Sequence, residues 1–92
     1  MSPLDPAALR LKAIVEADPG ALIRLLQLFQ IRNVTPVRVH SRRLGHEYVE
    51  AEIELNPAEM TMETLRLIAA KAQELPITMV AVVLEPAAGV AA

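Results

Sequence analysis

The chain has 92 residues, of which 53% are hydrophobic and only 2% aromatic, and it contains no cysteine. This length corresponds to one domain, and the lack of cysteine excludes disulfides, thiolate metal sites and a cysteine nucleophile. Nine basic and eleven acidic residues give a net charge of −2. That balance disfavours binding to nucleic acid through bulk electrostatics.

The distribution of apolar residues predicts where the protein resides. The longest apolar stretches are interrupted by residues such as Arg24 and Lys71, well short of the ~20 apolar residues that a membrane span needs. The first residues lack the basic and apolar regions of a secretory signal. We therefore expect a cytoplasmic protein that does not associate with membranes. A small domain with so large a hydrophobic fraction is also expected to expose apolar surface outside its core. We expect a partner or a second copy to cover that surface.

The two ends differ in composition from the middle of the chain. Residues 1–8 and 86–92 are rich in Pro or Ala and show no hydrophobic period. We therefore predict flexible ends and one folded domain over residues 9–85.

The first part of this domain predicts a strand and then a helix. Apolar and basic residues alternate from Leu9 to Val15, which is the period of a strand with one buried face. Asp18-Pro19-Gly20 breaks the alternation, and residues 21–32 contain strong helix formers without Gly or Pro. Asn33 then favours a helix end, because Asn tolerates the left-handed conformation.

Two alternating segments, residues 37–42 and 49–55, predict a β-hairpin. A three-residue loop over residues 43–45, with Gly45 in the left-handed conformation, is one solution that matches the apolar faces. The cross-strand pairs that this register predicts on the polar face are Arg38 with Glu50 and His40 with Tyr48.

A second helix and a last strand follow. Asn56 and Thr61 are competing N-caps of the helix, and Pro76 ends it. Residues 77–84 are continuously apolar and β-branched, the pattern of a strand covered on both faces. The core stripe predicted for the helix consists of Met62, Leu65, Ile68, Ala69 and Ala72.

The element order is therefore βαββαβ. Right-handed crossovers convert this order into a four-stranded antiparallel sheet with both helices on one face, the ferredoxin-like α+β sandwich. Ile14 and the last strand put apolar atoms on the face that the helices leave open, and we expect a partner to contact them. Further surplus apolar surface is predicted at Leu28, Ile31 and Leu67.

No group of side chains in the sequence predicts catalysis. His40 and His46 flank one exposed hairpin without carboxylates or cysteines at metal-ligand spacing, so we interpret them as surface residues. The row Glu50, Glu52 and Glu54 is the solvated face of a strand. Nucleotide-binding and hydrolase motifs are absent, and aromatic residues are too few for an RNA-binding sheet. We expect no catalytic residue, no metal and no cofactor.

The loop between the first strand and the first helix has backbone groups that are suited to binding a ligand. The amides of a first helical turn are unpaired donors suited to a carboxylate ligand. In the alternative interpretation, Gly20 only relieves the turn and Asp18 caps the helix.

This loop also carries a resemblance to a known family. The segment IVEADPGALIRLLQLFQIRNV, which begins at Ile14, resembles the opening of ACT domains, specifically the small regulatory subunits of acetolactate (acetohydroxyacid) synthase. The resemblance extends over residues 9–85 in element order and over residues 14–33 in residue identity. The matching residues are Glu16, Gly20-Ala21-Leu22 and Phe29-Gln30-Ile31-Arg32-Asn33.

The resemblance implies a non-catalytic regulatory subunit in branched-chain amino acid biosynthesis. Such subunits form homodimers, often by pairing edge strands. They bind an amino-acid effector at this loop, and they dock on and activate a thiamine-diphosphate-dependent large subunit. Carried over by position, the effector-binding residues are Asp18, Pro19, Gly20, Ala21 and Leu22.

Two positions depart from the family pattern. Members that bind valine usually have Asn before the acidic or polar residue of the loop and a second Asn after the first helix, where this chain has Ala17 and Thr35. With one ACT unit, it is more similar to the short, valine-insensitive subunits. The first alternative is a free-standing ACT module that binds an amino acid and regulates another enzyme or a transcription factor. The second is a small enzyme with its site at a dimer interface.

Overall fold

The computed structural model of the protein describes residues 8–84, so the predicted flexible ends lie outside the described residues except for Ala8. Ala8 is buried, and the folded part therefore begins at least one residue earlier than predicted. The elements are β1 (Leu9–Glu16), α1 (Pro19–Gln30), β2 (Arg38–Leu44), β3 (Tyr48–Leu55), α2 (Met62–Glu74) and β4 (Thr78–Leu84). The predicted βαββαβ order is confirmed.

The four strands form one antiparallel sheet in the order β2-β3-β1-β4. Both helices pack on one face of this sheet, and β1 and β3 are its central strands. The ferredoxin-like α+β fold is confirmed. Within residues 8–84, no helix is long and apolar enough to cross a membrane.

One hydrophobic core lies between the sheet and the helices. Alternate residues of β1 contribute Leu11, Ala13 and Val15, all fully buried, because residues two apart in a strand face the same side. The predicted core stripe of α2 is confirmed, with only Met62 partly buried. The fully buried or nearly buried residues that the helices add are Ala21, Leu25, Phe29, Leu65, Ile68, Ala69 and Ala72.

The predictions for surplus apolar surface outside the strands are confirmed at two of three positions. Ile31 is 80% exposed and Leu67 is 54% exposed. Leu28 is instead partly buried and packs against the core, so its prediction is wrong. An apolar side chain at the edge of a helical stripe still reaches the core when its neighbours leave room.

Helix α1 ends in a Schellman motif at Asn33, which has a left-handed φ of 58°. The Val34 amide donates to the Phe29 carbonyl oxygen at 3.0 Å, and the Asn33 amide donates to the Gln30 carbonyl oxygen at 2.9 Å. These bonds satisfy carbonyls that the helix end would leave unpaired. The regular helix ends at Gln30, two residues earlier than predicted, but the predicted role of Asn33 is confirmed.

Thr61, and not Asn56, is the N-cap of α2. The Thr64 amide donates to Thr61 Oγ1 at 3.1 Å. Asn56 closes the preceding turn, where its Oδ1 accepts from the Ala58 amide at 2.8 Å. Met60, between the two candidate caps, is buried, so the chain turns toward the core before the helix begins.

The predicted hairpin register is wrong. Strand β2 continues to Leu44, and the loop consists of residues 45–47. Gly45 has the expected left-handed φ of 71°, but as the first residue of the loop. Arg38 therefore pairs with Glu54 instead of Glu50, and His40 pairs with Glu52 instead of Tyr48. This register lengthens the ladder and sets arginines directly opposite glutamates, which is favourable across a strand pair.

Strand β4 is an edge strand, and within one chain only its helix-side face is covered, whereas its continuous apolar run predicted cover on both faces. It pairs with β1 alone. Met79 is 54% exposed and Val82 is 43% exposed. The expectation that β4 puts apolar atoms on the open face is confirmed.

Replacement of Asn33 tests the Schellman motif. Asn33→Ala should lower the free energy of unfolding by about 1 kcal/mol, because a Cβ without a polar side chain disfavours the left-handed conformation. Asn33→Gly should leave it unchanged or raise it slightly. Urea denaturation of both variants measures the difference. Equal stability of the Ala and Gly variants would contradict the role assigned to this φ angle.

Candidate functional site

A cavity of about 270 Å³ lies where β1 and α1 meet β2. Three of the five predicted effector-binding residues line it, namely Asp18, Pro19 and Leu22. Strand β2 contributes Ser41 and Arg43 to the opposite wall. Val49 of β3 lines it as well, so the predicted loop borders a concave site built from four elements.

The other two predicted residues do not line this cavity. Ala21 is fully buried in the core between α1 and the sheet, so its place is set by packing. Gly20 lies in the first turn of α1, and a Cβ built there would come within 3.3 Å of Asp18 Oδ2. Gly20 therefore leaves room for the Asp18 carboxylate at the mouth of the cavity.

The backbone of the loop is anchored to both neighbours of β1. The Glu16 amide donates to the Ile77 carbonyl oxygen, and the Ala17 amide donates to the Glu47 carbonyl oxygen, both at 2.9 Å. A further bond joins the Asp18 amide to the Glu16 carbonyl oxygen at 2.8 Å. These bonds hold the chain in one path up to the first residue of α1.

Asp18 occupies the N-cap position of α1, but in the described part of the chain its carboxylate accepts no bond from the first helical turn. Only its backbone oxygen does so, from the Ala21 amide at 2.9 Å. The first turn of α1 also contains no acidic residue. The positive end of the helix dipole is therefore not compensated from within α1, and the Asp18 side chain is available to the cavity.

Arg43 supplies a positive charge to the same cavity. Its Nη2 donates to the His46 carbonyl oxygen at 3.3 Å, which ties the guanidinium to the hairpin loop. Both Asp18 and Glu16 line the cavity as well. The site thus combines an arginine and a helix N-terminus, which attract carboxylates, with two carboxylates, which attract ammonium groups.

Thr35 lies at a different place. It lines a second cavity of about 350 Å³ at the C-terminal end of α1, together with Leu26 and Val39. Ala17 lines the first cavity, at the N-terminal end of the same helix. The twelve residues of α1 span ~18 Å, so the two positions that depart from the family pattern share no cavity within one chain.

Two glutamates of β3, Glu50 and Glu52, form ion pairs on the open face of the sheet. Arg42 Nη2 lies 3.1 Å from Glu50 Oε1, and Lys12 Nζ lies 3.6 Å from Glu50 Oε2. Arg10 Nη1 lies 3.8 Å from Glu52 Oε2. Glu54 is only 8% exposed, so the prediction of a solvated row is wrong for this residue.

The two histidines do not form a metal centre with their neighbours. His40 is exposed on β2, and His46 lines a shallow depression beside Glu16 and Asp18. Among residues 8–84, no group of three or more His, Asp, Glu or Cys side chains is placed to hold a metal ion.

Comparison with known proteins establishes the fold. No protein-family model matches the chain, and no curated protein matches it significantly. Among solved structures, it is similar to the solution structure of the C-terminal domain of the MgtC protein from Mycobacterium tuberculosis. The two share 12% sequence identity over 90% of this chain and 92% of that domain, with a TM-score of 0.67. At this identity the similarity concerns the fold alone, and the resemblance to ACT domains stays a prediction.

Substitution by alanine should have opposite effects on stability at Gly20 and at Gly45. Gly20→Ala should raise the free energy of unfolding by up to ~1 kcal/mol, because alanine favours a helical turn and the flexible Asp18 carboxylate can move aside. Gly45→Ala should lower it by about 1 kcal/mol, because the left-handed φ of Gly45 disfavours any Cβ. Thermal and urea unfolding measure both. A loss of stability in Gly20→Ala would mean that the Asp18 side chain is fixed more firmly than its single close contact indicates.

Proposed function

We propose that this chain is a non-catalytic regulatory module of the ACT type. In this proposal it binds a small amino-acid effector, and it docks on and activates the catalytic large subunit of acetolactate synthase in the cytoplasm. The observation that carries the proposal is the cavity at the β1–α1 loop, which brings Asp18, Pro19 and Leu22 together with Arg43. The partner enzyme is inferred from the resemblance of residues 14–33 to its small subunits.

The charges around the cavity support an amino acid as the effector. A free amino acid has a carboxylate and an ammonium group on one carbon atom. Arg43 and the N-terminus of α1 are suited to the carboxylate, and Asp18 is suited to the ammonium group. Leu22 and Val49 supply apolar walls for a small side chain. Ala17 contributes no amide, so we expect weaker binding than in members with Asn there.

The exposed edge of β2 supports a homodimer. Within residues 8–84, no strand pairs with the outer side of β2. Val37 is 61% exposed and Val39 is 42% exposed, so this region would gain cover from a second copy. Arg42 is neutralised by Glu50, and Arg38 lies opposite Glu54. This compensation reduces the repulsion between two β2 strands brought side by side.

The remaining exposed apolar residues support docking on a larger protein. They lie on the outer sides of both helices and on β4, away from the cavity, as Ile23, Leu67 and Val82 illustrate. Apolar surface of this kind on a small domain is suited to a protein partner. The engagement of Glu50 and Glu52 in ion pairs supports a role other than catalysis.

Reconstitution with the large subunit of the same organism tests the partner. We expect this chain to raise the rate of acetolactate formation and to co-elute with the large subunit. We also expect the stimulation to persist across a valine titration, because Ala17 and Thr35 lack the amides of valine-binding members. Reversal by valine would contradict that last expectation. Absence of both stimulation and co-elution would reject the proposed partner.

A second candidate, a free-standing amino-acid sensor, is favoured by the fact that one chain alone supplies both charges of the cavity.

Neighbouring arginines on opposite faces of β2 give a matched pair of variants for testing the effector. Arg43→Ala should weaken amino-acid binding about tenfold or more, since it removes the only basic side chain that lines the cavity within the described residues. Arg42→Ala, on the open face, should bind as the wild type does.

Calorimetric titration with the standard amino acids measures both variants. Equal affinities of the two variants would show that Arg43 does not contact the effector. Binding without any activation of acetolactate synthase would favour the free-standing sensor over the subunit.

A further inference from the structure

One side chain of α2 bonds two backbone groups on the outer edge of β4. Gln73 Nε2 donates to the Met79 carbonyl oxygen at 3.2 Å, and the Ala81 amide donates to Gln73 Oε1 at 2.9 Å. One side-chain amide therefore holds both a carbonyl and an amide of β4.

These two backbone groups belong to the side of β4 that faces away from β1. In an antiparallel pair, alternate residues direct their amide and carbonyl groups toward the neighbour and away from it. The pairing of β4 with β1 skips Met79, because Val80 pairs with Ile14 and Thr78 with Val15, and the Ala81 amide is engaged by Gln73. The Gln73 side chain thus takes the positions that the peptide groups of an added strand would occupy.

The sequence of β4 gives a reason for such a device. Residues 77–84 contain no charge, no glycine and no proline, and they are rich in β-branched residues. Several of their side chains are exposed, including Met79 and Val82. A segment of this composition on an open edge pairs readily with another copy of itself. Its central residues contain neither charge nor proline, and a shift in its pairing with β1 leaves Met79 without a partner in that strand.

We infer that Gln73 closes the β4 edge of the sheet against strand addition by a second copy of this chain. Its amide acts as a short substitute for the next strand. The inference concerns β4 alone, so it holds whether or not β2 forms the dimer proposed above, and whether or not the protein binds an amino acid.

Variants of equal size test the inference on the full chain. Gln73→Met keeps the length and helix propensity of the side chain but removes both hydrogen bonds. Gln27→Met makes the same apolar change at an exposed position of α1 and serves as the control. Met79→Lys, added to Gln73→Met, places a charge on the opened edge.

Sedimentation velocity over a range of protein concentrations measures the outcome. We expect the mean mass of Gln73→Met to rise at least about twofold above that of the wild type as the concentration increases. Gln27→Met should match the wild type, and the double variant should return to it. An unchanged mass for Gln73→Met, an equal rise in Gln27→Met, or no return in the double variant would overturn the inference.

Amide hydrogen exchange of the wild-type chain gives a test that does not depend on a variant that folds. The Ala81 amide should exchange at least about tenfold more slowly than an unprotected amide, because Gln73 Oε1 accepts its hydrogen. Exchange of the Ala81 amide at the unprotected rate would overturn the inference, since an edge that Gln73 does not hold is not closed by it.

Discussion

The pairing of β1 with a strand on each side is the constraint on which the rest of the molecule depends. All eight residues of β1 pair with β3, and most pair with β4 as well. Its inward side chains, Leu11, Ala13 and Val15, are fully buried, and both helices pack over them. Because the strand is held from both sides, the chain that leaves it at Glu16 starts from a defined position. The position of β1 at the centre of the sheet therefore sets the geometry of the candidate site.

The fold could be predicted because it depends on hydrophobic periods, and on the turn residues that interrupt them, and both are visible in the sequence. The register of the hairpin could not, since a shift by an even number of residues, here four, keeps every side chain on its face and leaves the alternation unchanged. This one ambiguity also hid part of the candidate site. In the predicted register Arg43 belonged to the loop, whereas in the structure it follows Ser41 on the strand face beside α1. The site residues that lie in the β1–α1 loop were therefore predicted from the sequence. The site residues that strand pairing brings to the cavity were not.

Other differences between the predicted and the observed structure arise where two local sequence signals compete. Tertiary packing then decides which of the two is used. Asn56 and Thr61 both precede a helical segment and can both cap it. Burial of Met60 between them makes the chain turn inward first, which leaves the later residue as the cap. The apolar run of β4 was ambiguous in a similar way, because composition does not distinguish a central strand from an edge strand whose outer backbone is bonded by a side chain. Gln73 lies on another element, so no pattern within β4 predicts it.

The two edges of the sheet are consequently not equivalent. With β4 held by Gln73, addition of a strand is directed to β2, and an assembly that uses one edge of each copy closes at two copies instead of continuing as a fibre. Strand β2 is also the strand that supplies Ser41 and Arg43 to the cavity. Under the proposed function, pairing at β2 would order one wall of the effector site. Any effect of dimerisation on effector affinity then requires an equal effect of the effector on dimerisation, because the two equilibria form one closed thermodynamic cycle.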